Sequence, residues 1–241
     1  MHTNGSKYYD NEEFFKNYTL KRASLKNPND TIEKPIFMEL MGKVSQLNVL
    51  DLGCGDGRFG VDLINFGCKS YQGIEGSINM YNSALNNLES FQTSNLVHST
   101  IENWNFPKGQ FDLVVSRLVL HYIKDIEAIF ERIYHSLSDG GKFIFSIEHP
   151  VITSTLQSSG KKTDWVVDNY FIRGKREQHW LGENVTKYHR TIEDYFHHLK
   201  AVGFNIESLR ESEPKMDNFE NEDIFKRRLR IPLFLFFSST K

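Results

Sequence analysis

Short apolar runs alternate with amphipathic stretches along most of the chain, and this alternation predicts strands that alternate with helices. The predicted strands cover residues 48–52, 70–75, 95–98, 113–116, 141–147, 205–210 and 231–238. The predicted helices cover residues 11–22, 32–44, 58–66, 78–88, 126–137 and, after a capping box at Thr191 and Asp194, a stretch ending at residue 201. This order is typical of an α/β fold with a doubly wound, mostly parallel sheet and helices on both faces.

The first predicted strand ends in a glycine-rich turn, and the carboxylates around that turn indicate what it binds. The turn, DLGCGDG, spans Asp51 to Gly57, and its glycine spacing out to Gly60 fits the fingerprint of dinucleotide-binding proteins. Asp51 and Asp56 would, however, repel the pyrophosphate of a dinucleotide, which binds bare backbone N–H groups. They suit a ligand with ammonium and sulfonium groups, such as S-adenosylmethionine.

The same turn resembles the first motif of the class I S-adenosylmethionine-dependent methyltransferases, and further motifs follow over residues 45–150. Glu75 stands where the family has its ribose-binding acid, and residues 100–102 stand where a loop holds the adenine. Residues 111–116 and 137–143 resemble the fourth strand and the turn into the fifth. The resemblance implies a Rossmann-like sheet of seven strands, in which the C-terminal run is inserted antiparallel.

The resemblance also implies methyl transfer from S-adenosylmethionine, with S-adenosylhomocysteine as the product, and a set of cofactor-binding residues. Matched to the family motifs, these are Asp51, Gly53, Cys54, Gly55, Gly57, Glu75, Gly76, Ser77, Thr100, Ile101, Glu102, Ser116 and Arg117. In the family the N-terminal helix often closes over the methionine end of the cofactor. Tyr18 and Arg22 would then bind there, the arginine pairing with the carboxylate. The other interpretation of Arg22 is a solvated helix face beside Lys21 and Lys26.

Two segments lie outside the minimal nucleotide-binding unit of this predicted single domain, which covers residues 1–241. Residues 1–44 are predicted to form an N-terminal helical cap, and the aromatic-rich residues 149–189 a substrate cap over the carboxyl edge of the sheet. The residues assigned to acceptor binding are Trp165, Tyr170, Arg173, Trp180 and Tyr188, and the interleaved Arg173 and Arg176 suggest an acidic group on the acceptor. The alternative is a β-extension that covers a sheet edge or pairs subunits.

The sulfonium methyl group is already electrophilic, so a general base is needed only if the acceptor must lose a proton early. Three histidines next to the expected active edge are the candidate bases: His121, His149 and His189, of which His149 is favoured. Their scatter along the chain does not match the spacing of metal ligands, so no metal site is predicted.

The acceptor is predicted to be a small organic molecule rather than a nucleic acid. The formal net charge of −2 lacks the basic excess of a nucleic-acid binder, and the basic run Lys226–Arg230 follows several acids and is interpreted as a solvated linker. Residues 116–119, Ser-Arg-Leu-Val, stand where amino-methylating nucleic-acid enzymes of the family carry an Asn/Asp-Pro-Pro-aromatic motif. An aromatic cap suits a largely buried small molecule, methylated on oxygen, nitrogen or carbon.

Composition favours a cytoplasmic protein without a membrane partner, present as a monomer or a homodimer. The two cysteines, Cys54 and Cys68, do not form a disulfide framework. The N-terminus lacks an apolar signal core, and the most apolar run, residues 231–237, is too short to span a bilayer.

Two other functions stay open at the level of the sequence. A nicotinamide-dependent oxidoreductase is favoured by the glycine spacing and disfavoured by Asp51 and Asp56. A protein that binds S-adenosylmethionine without turnover would carry the same motifs.

Overall fold

The structure, a computed structural model, describes residues 5–22, 27–155 and 164–241. The strands are β1 (Asn48–Leu52), β2 (Ser70–Glu75), β3 (Ser94–His98), β4 (Phe111–Arg117), β5 (Leu137–Glu148), β6 (Gly174–Trp180), β7 (Glu183–His189), β8 (Asn205–Glu211) and β9 (Phe234–Thr240). The helices are α1 (Glu12–Arg22), α2 (Lys34–Met41), α3 (Arg58–Asn65), α4 (Ile78–Leu88), α5 (Ile126–Ser136), α6 (Pro150–Ser154), α7 (Ile192–Val202) and α8 (Glu222–Arg228). Within the described ranges, no helix combines the length and the apolar composition needed to cross a membrane.

Seven strands form one sheet in the order β3-β2-β1-β4-β5-β9-β8, and β6 pairs with β7 in a separate hairpin. Strands β1 to β5 are parallel to their neighbours within that set, whereas β9 lies antiparallel between β5 and β8. The predicted doubly wound, mostly parallel seven-stranded sheet is therefore confirmed, and so is its antiparallel C-terminal strand. The strand order reverses between β1 and β4, where sheets of this kind open a crevice for ligands.

Strand β5 supplies side chains to the core on both faces of the sheet, because consecutive residues of a strand point to opposite sides. Phe143 and Phe145 pack against Phe130 of α5, with ring centroids 5.6 and 5.5 Å apart. Ile144 belongs instead to the apolar cluster that contains Phe37 of α2. Burial of one such side chain contributes about 1.5–3 kcal/mol, so apolar packing holds helices on both faces.

Two element boundaries differ from the predicted ones for identifiable reasons. The helix predicted over residues 32–44 is divided into a π-helical turn, Asn29–Glu33, and α2. It ends early because Gly42 adopts a φ of +67°, outside the helical region. The strand predicted over residues 141–147 begins at Leu137, directly after α5, because its first residue pairs with the first residue of β4.

The described parts of residues 149–189 and the basic run near the C-terminus contain regular elements that the hydrophobic pattern does not reveal. Residues 156–163 of the predicted substrate cap lie outside the described residues. The first segment contains α6 and the β6–β7 hairpin, whose turn has Leu181 and Gly182 at φ values of +53° and +92°, as a tight hairpin turn requires. The second run, Lys226–Arg230, lies largely in α8, whose N-cap Asn221 accepts a backbone N–H at 3.0 Å. The solvated-linker interpretation of that run is therefore corrected.

The hairpin packs against the N-terminal segment of the chain. Val185 of β7 belongs to an apolar cluster with Tyr8 and Phe14, and the Tyr8 hydroxyl accepts the N–H of Thr186 at 3.1 Å. Trp180, the last residue of β6, packs edge-on against Phe14 with centroids 5.4 Å apart. The N-terminal segment and the β6–β7 hairpin, which are distant in sequence, thus pack together as one layer.

Candidate cofactor and acceptor site

A cleft opens at the carboxyl ends of β1, β2 and β4, and we call it the cofactor cleft. Its floor comes from segments that follow strands: Gly53 and Gly55, Glu75 and Gly76, Thr100, Ile101 and Glu102, and Arg117, Leu118 and Val119. Its roof comes from Gly5, Ser6, Tyr9 and Tyr18 of the N-terminal region and from Trp180 of the hairpin. The cleft lies where doubly wound sheets bind their ligands, at the carboxyl ends of the strands.

Two glycines shape the floor for different reasons. Gly53 has a φ of +76°, and a Cβ there would come within 2.5 Å of the Val119 side chain. Gly55 has a φ of +59°, but a Cβ there would meet no protein atom within 4 Å. A side chain at Gly55 would therefore project into the open cleft, into the space that a bound ligand needs.

Glu75 stands at the carboxyl end of β2 and is 7% exposed. Its two carboxylate oxygens accept the backbone N–H groups of Gly55 at 2.9 Å and Ser77 at 2.8 Å. Burial raises the pKa of Glu75, and these N–H groups oppose the rise. The carboxyl group is thus fixed beside the glycine turn, with oxygens able to accept further hydrogen bonds from ribose hydroxyls.

The two acids of the glycine turn have different surroundings. Asp51 is 2% exposed and accepts the Tyr71 hydroxyl at 2.9 Å, and burial raises the pKa of Asp51 to about 7. It lines a polar lobe of the cleft together with Tyr18, Arg22, Glu33, Cys54 and Arg117. Asp56 instead pairs with Arg58, with Nε and Oδ2 2.6 Å apart. Both acids line the lobe, but only Asp51 is buried and free of a cationic partner in its own turn.

Both arginines assigned to the cofactor are paired with carboxylates of the chain. Arg117 pairs with the fully buried Glu33, with Nε and Oε2 3.1 Å apart, and its guanidinium lies 4.4 Å from the ring centroid of Phe59. Arg22 forms a bidentate pair with Asp30, each N–O distance being 3.1 Å. Both line the polar lobe, but each carries a negative partner from its own protein.

Three residues of the family-derived cofactor set do not line the cleft. The Ser116 hydroxyl donates to the carbonyl of Leu52 at 2.9 Å, within the sheet. Ser77 caps α4 through its side chain. A Cβ at Gly57 would come within 3.0 Å of Ala84, so this glycine permits close packing of α3 on α4.

The roof contains the predicted Tyr18 and Trp180 and, in addition, Tyr9 and Asp10, which the sequence prediction does not name. Tyr9 meets Tyr18 edge-on, with centroids 4.9 Å apart, and Tyr18 lies 6.1 Å from Trp180. Asp10 fixes this segment to α4, because its carboxylate accepts the Ser77 hydroxyl at 2.7 Å and the N-terminal N–H of α4 at 2.8 Å. The only sequence signal for Tyr9 is the aromatic content of the N-terminal region.

The structure brings one of the three candidate histidines to the cleft. His121 lines it, is 2% exposed, and has a pKa lowered by burial to about 4. His149 is the N-cap of α6, with Nδ1 accepting the Val151 N–H at 3.1 Å and Nε2 lying 3.0 Å from Glu211.

His189 is likewise engaged away from the cleft. Its Nδ1 lies 2.8 Å from the Thr153 hydroxyl, and its Nε2 lies 2.8 Å from the carbonyl oxygen of Tyr170. Both ring nitrogens therefore have partners that join α6 and β7 to the segment before β6.

The residues assigned to acceptor binding separate into two groups. Trp180 lines the cleft, and Trp165 lines a neighbouring cavity that also includes Trp180. Tyr188 and Arg173 line a different groove beside α7, where Arg173 pairs with Asp194. Tyr170 packs edge-on to His189.

The two arginines that suggested an acidic group on the acceptor have structural partners. Arg173 pairs with Asp194 at 3.0 Å, and the Arg176 guanidinium donates to the carbonyls of Ser154 and Asn169. Neither lies against the cofactor cleft.

Comparison with known proteins identifies the family. A model of the methyltransferase domain matches residues 50–145. A solved structure from Listeria monocytogenes, assigned to the S-adenosylmethionine-dependent methyltransferases, has 33% identity and a TM-score of 0.80, covering 87% of this chain and 96% of its own. The chain belongs to the S-adenosylmethionine-dependent methyltransferase family. The protein is an enzyme of this family and uses S-adenosylmethionine as its cofactor.

Two further relatives extend the likeness over nearly the full length of the chain. An S-adenosylmethionine-dependent methyltransferase from Mesorhizobium loti has 27% identity and a TM-score of 0.81, covering 91% of this chain and 99% of its own. An uncharacterized protein of Haemophilus influenzae is 30% identical over 249 residues, which covers 97% of this chain and 96% of that protein. The matched region thus includes the N-terminal roof and the hairpin as well as the glycine turn.

The geometry of the cleft fits the cofactor of this family. The free space at Gly55 lets a ligand approach the turn closely, and Glu75 is positioned beside it. The polar lobe adds the buried carboxyl group of Asp51. Nicotinamide as the cofactor, the first alternative left open by the sequence, is not supported.

Proposed function

We propose that the protein transfers the methyl group of S-adenosylmethionine to a small organic acceptor that binds between the cofactor cleft and the hairpin. One observation carries the proposal: a second cavity opens from the cleft, and the two share Asn29, Glu148, Trp180 and Phe234 as lining residues. We call this second cavity the acceptor chamber. A donor in the cleft and an acceptor in the chamber would meet across the shared wall.

We assign the parts of the cofactor by the chemistry of the lining. Glu75 suits the ribose hydroxyls, because a carboxylate is a strong acceptor, and residues 100–102 suit the adenine. The polar lobe with Asp51 suits the ammonium of the methionine end. Arg22 lines the same lobe, and its pair with Asp30 leaves three guanidinium N–H groups for the methionine carboxylate.

Positioning and exclusion of water are the main contributions that we assign to the chain. The bound cofactor supplies an electrophilic methyl group, which reacts with a nucleophile held in line. Tyr9, Tyr18 and Trp180 cover the cleft and restrict the entry of water.

We propose that His121 orients the acceptor and does not act as a general base. Its Nδ1 lies 3.4 Å from the Glu148 N–H, which donates to it. With a pKa of about 4, the ring is uncharged at neutral pH, and its proton is then on Nε2. His121 is therefore a hydrogen-bond donor toward the cleft, and protonation at Nδ1 would break its existing bond.

Glu148 supplies a fixed negative charge in the shared wall. Both of its oxygens lie within 2.7 Å of the Lys187 ammonium. This pairing outweighs burial and lowers the pKa of Glu148. We propose that this ion pair helps to orient the acceptor next to the cofactor.

The proposal is tested by incubating the enzyme with methyl-labelled S-adenosylmethionine and a metabolite extract. We expect a labelled small-molecule product with the wild-type protein and none with Gly55→Val, which blocks the cofactor space. A wild-type protein that binds the cofactor but labels no small molecule would instead support binding without turnover.

A further inference from the structure

More positive than negative side chains line the acceptor chamber. Among the described residues, six cationic side chains line it: Lys21, Arg22, Lys187, Arg227, Arg228 and Arg230. Two carboxylates, Glu148 and Asp164, line it as well. The excess of positive charge faces the space in which the proposed acceptor would bind.

Some of these cations are neutralised within the protein and others are not. Lys187 is paired with Glu148, and Arg22 is paired with Asp30. In the described part of the chain, no carboxylate pairs with Lys21, Arg227 or Arg228; the partner of Lys21 is the Trp180 ring, 5.0 Å away.

The remaining segments of the chain cannot supply the missing negative charge. Residues 1–4, 23–26 and 156–163 contain neither aspartate nor glutamate, and they add lysines at positions 26, 161 and 162. These segments therefore bring no carboxylate side chain to the chamber.

The unpaired cations are close enough to repel one another. Partial burial and the positive charge of Lys187 lower the pKa of Lys21, the carboxylate of Glu148 opposes this, and Arg228 lowers it further. Burial and Arg227 likewise lower the pKa of Arg228. An anion that binds among these like charges relieves their repulsion.

The chamber also offers apolar surface for the body of an organic molecule. Trp165 and Trp180 line it, with Trp165 held by a hydrogen bond from Nε1 to the carbonyl of Val151 at 3.0 Å. Ile231, Leu233 and Phe234 add aliphatic and aromatic surface to the lining. Aromatic and aliphatic walls with a few charged groups are typical of small-molecule sites.

We infer that the acceptor is a small organic anion, whose carboxylate or phosphate group binds Lys21 and Arg228 in the acceptor chamber. This inference rests on the proposed methyl transfer and names the class of its substrate. The anionic group would bind these two cations, and the methyl-accepting atom would lie at the wall shared with the cofactor cleft. Arginine and lysine are the residues that bind such groups most strongly.

The first test measures anion binding without knowledge of the acceptor. The melting temperature of the protein saturated with S-adenosylhomocysteine is compared in inorganic phosphate, in succinate and in sodium chloride of equal ionic strength. We expect phosphate or succinate to raise the melting temperature of the wild type, because a ligand stabilises the state that it binds. We expect Arg228→Gln to lose this rise, whereas Lys226→Gln retains it.

Lys226→Gln is the matched control because it removes the same charge from the same helix. Lys226 pairs with Glu222 on α8 and does not line the chamber. Equal stabilisation of the two variants, or no stabilisation of the wild type by either anion, would overturn the inference. Failure of S-adenosylhomocysteine itself to bind would count instead against the proposed function.

The second test identifies the acceptor class from the labelled products. A metabolite extract is divided by anion exchange, and each fraction is incubated with labelled S-adenosylmethionine. We expect the acceptor in the retained, anionic fraction. Treatment of the extract with a phosphatase before fractionation should abolish the labelled product if the anionic group is a phosphate monoester and should leave it unchanged if that group is a carboxylate. A labelled product from the unretained fraction alone would contradict the inference.

Once the acceptor is identified, steady-state kinetics of the variants separates its binding from the methyl-transfer step. Arg228→Gln should raise the KM for the acceptor about 10- to 100-fold, which is typical for loss of a hydrogen bond to a charged group, with little change in kcat. The affinity for S-adenosylmethionine should match that of Lys226→Gln.

Discussion

Glu75 is the residue on which cofactor affinity should depend most directly. Glu75→Ala removes the carboxylate proposed to bind the ribose and leaves the N–H groups of Gly55 and Ser77 without that acceptor. We expect S-adenosylmethionine and S-adenosylhomocysteine, which should bind the wild type at micromolar strength, each to lose about 1–3 kcal/mol of binding free energy. Calorimetry checks this, with the exposed Glu89→Ala as control. Unchanged affinity would remove Glu75 from the ribose role.

A comparison of substitutions at Gly55 and Gly109 distinguishes the effect of backbone strain from the effect of lost ligand space. Gly55 and Gly109 have φ values of +59° and +62°, and neither has a protein atom within 4 Å of a built Cβ. Gly55→Val and Gly109→Val should therefore cost similar stability, measured by thermal unfolding. Gly55→Val alone should abolish binding of S-adenosylmethionine. Normal binding by that variant would place the ligand away from this turn.

Asp51 should give the protein a measurable dependence of stability on pH. The pKa of Asp51 is about 7 when folded, compared with 3.8 for a solvated aspartate. Between these values the folded state holds a proton that the unfolded state has lost, so stability falls as pH rises from about 4 to 7.

Asp51→Asn should lack this dependence. From pH 5 to pH 8, the free energy of unfolding of the wild type should fall relative to that of the variant by about 2–3 kcal/mol. Urea unfolding at unit steps of pH measures the difference. Parallel profiles for the two proteins would mean that Asp51 titrates like an exposed carboxyl group.

At the scale of elements, His149, the base that the sequence favours, has contacts that cap a helix. Its Nδ1 accepts the Val151 N–H at the start of α6, and its Nε2 faces Glu211. Loss of an N-cap typically costs about 0.5–2 kcal/mol. We therefore expect His149→Ala to lower the free energy of unfolding by that amount.

The same variant separates capping from catalysis. His149→Asn should retain most of the stability, because asparagine is a good N-cap, and both variants should keep full turnover from pH 6 to pH 8. A loss of turnover in His149→Asn, with loss of a kinetic pKa near neutrality, would restore the base role.

At the scale of the whole molecule, substitutions in the roof and in the acceptor chamber should have separate effects on the binding of the cofactor and of the acceptor. Trp165 lines the acceptor chamber alone, whereas Trp180 lines both cavities. We expect Trp165→Ala to raise the acceptor KM with unchanged affinity for S-adenosylmethionine, and Trp180→Ala to weaken both. Tyr188→Ala, in the groove beside α7, is the control and should change neither. A cofactor defect in Trp165→Ala would contradict this division.

Local sequence determined the sheet and the floor of the cofactor cleft. Strand and helix periodicity, the glycine turn after β1 and the acid at the end of β2 are all short-range features. Parallel strands place their carboxyl ends at one edge, so local motifs suffice to bring Gly55, Glu75 and Thr100 together.

Only the tertiary structure decided what lies opposite that floor. Tyr9 and Trp180 are far apart in the chain, and the basic run of α8 reaches the acceptor chamber through the path of the chain before β9. Whether an arginine has a carboxylate partner, as Arg173 has, or has none among the described residues, as is the case for Arg228, depends on neighbours that no local pattern encodes. The net charge at a site comes from all the residues that lie close to it in space, whereas a sequence motif contains only residues that are neighbours along the chain.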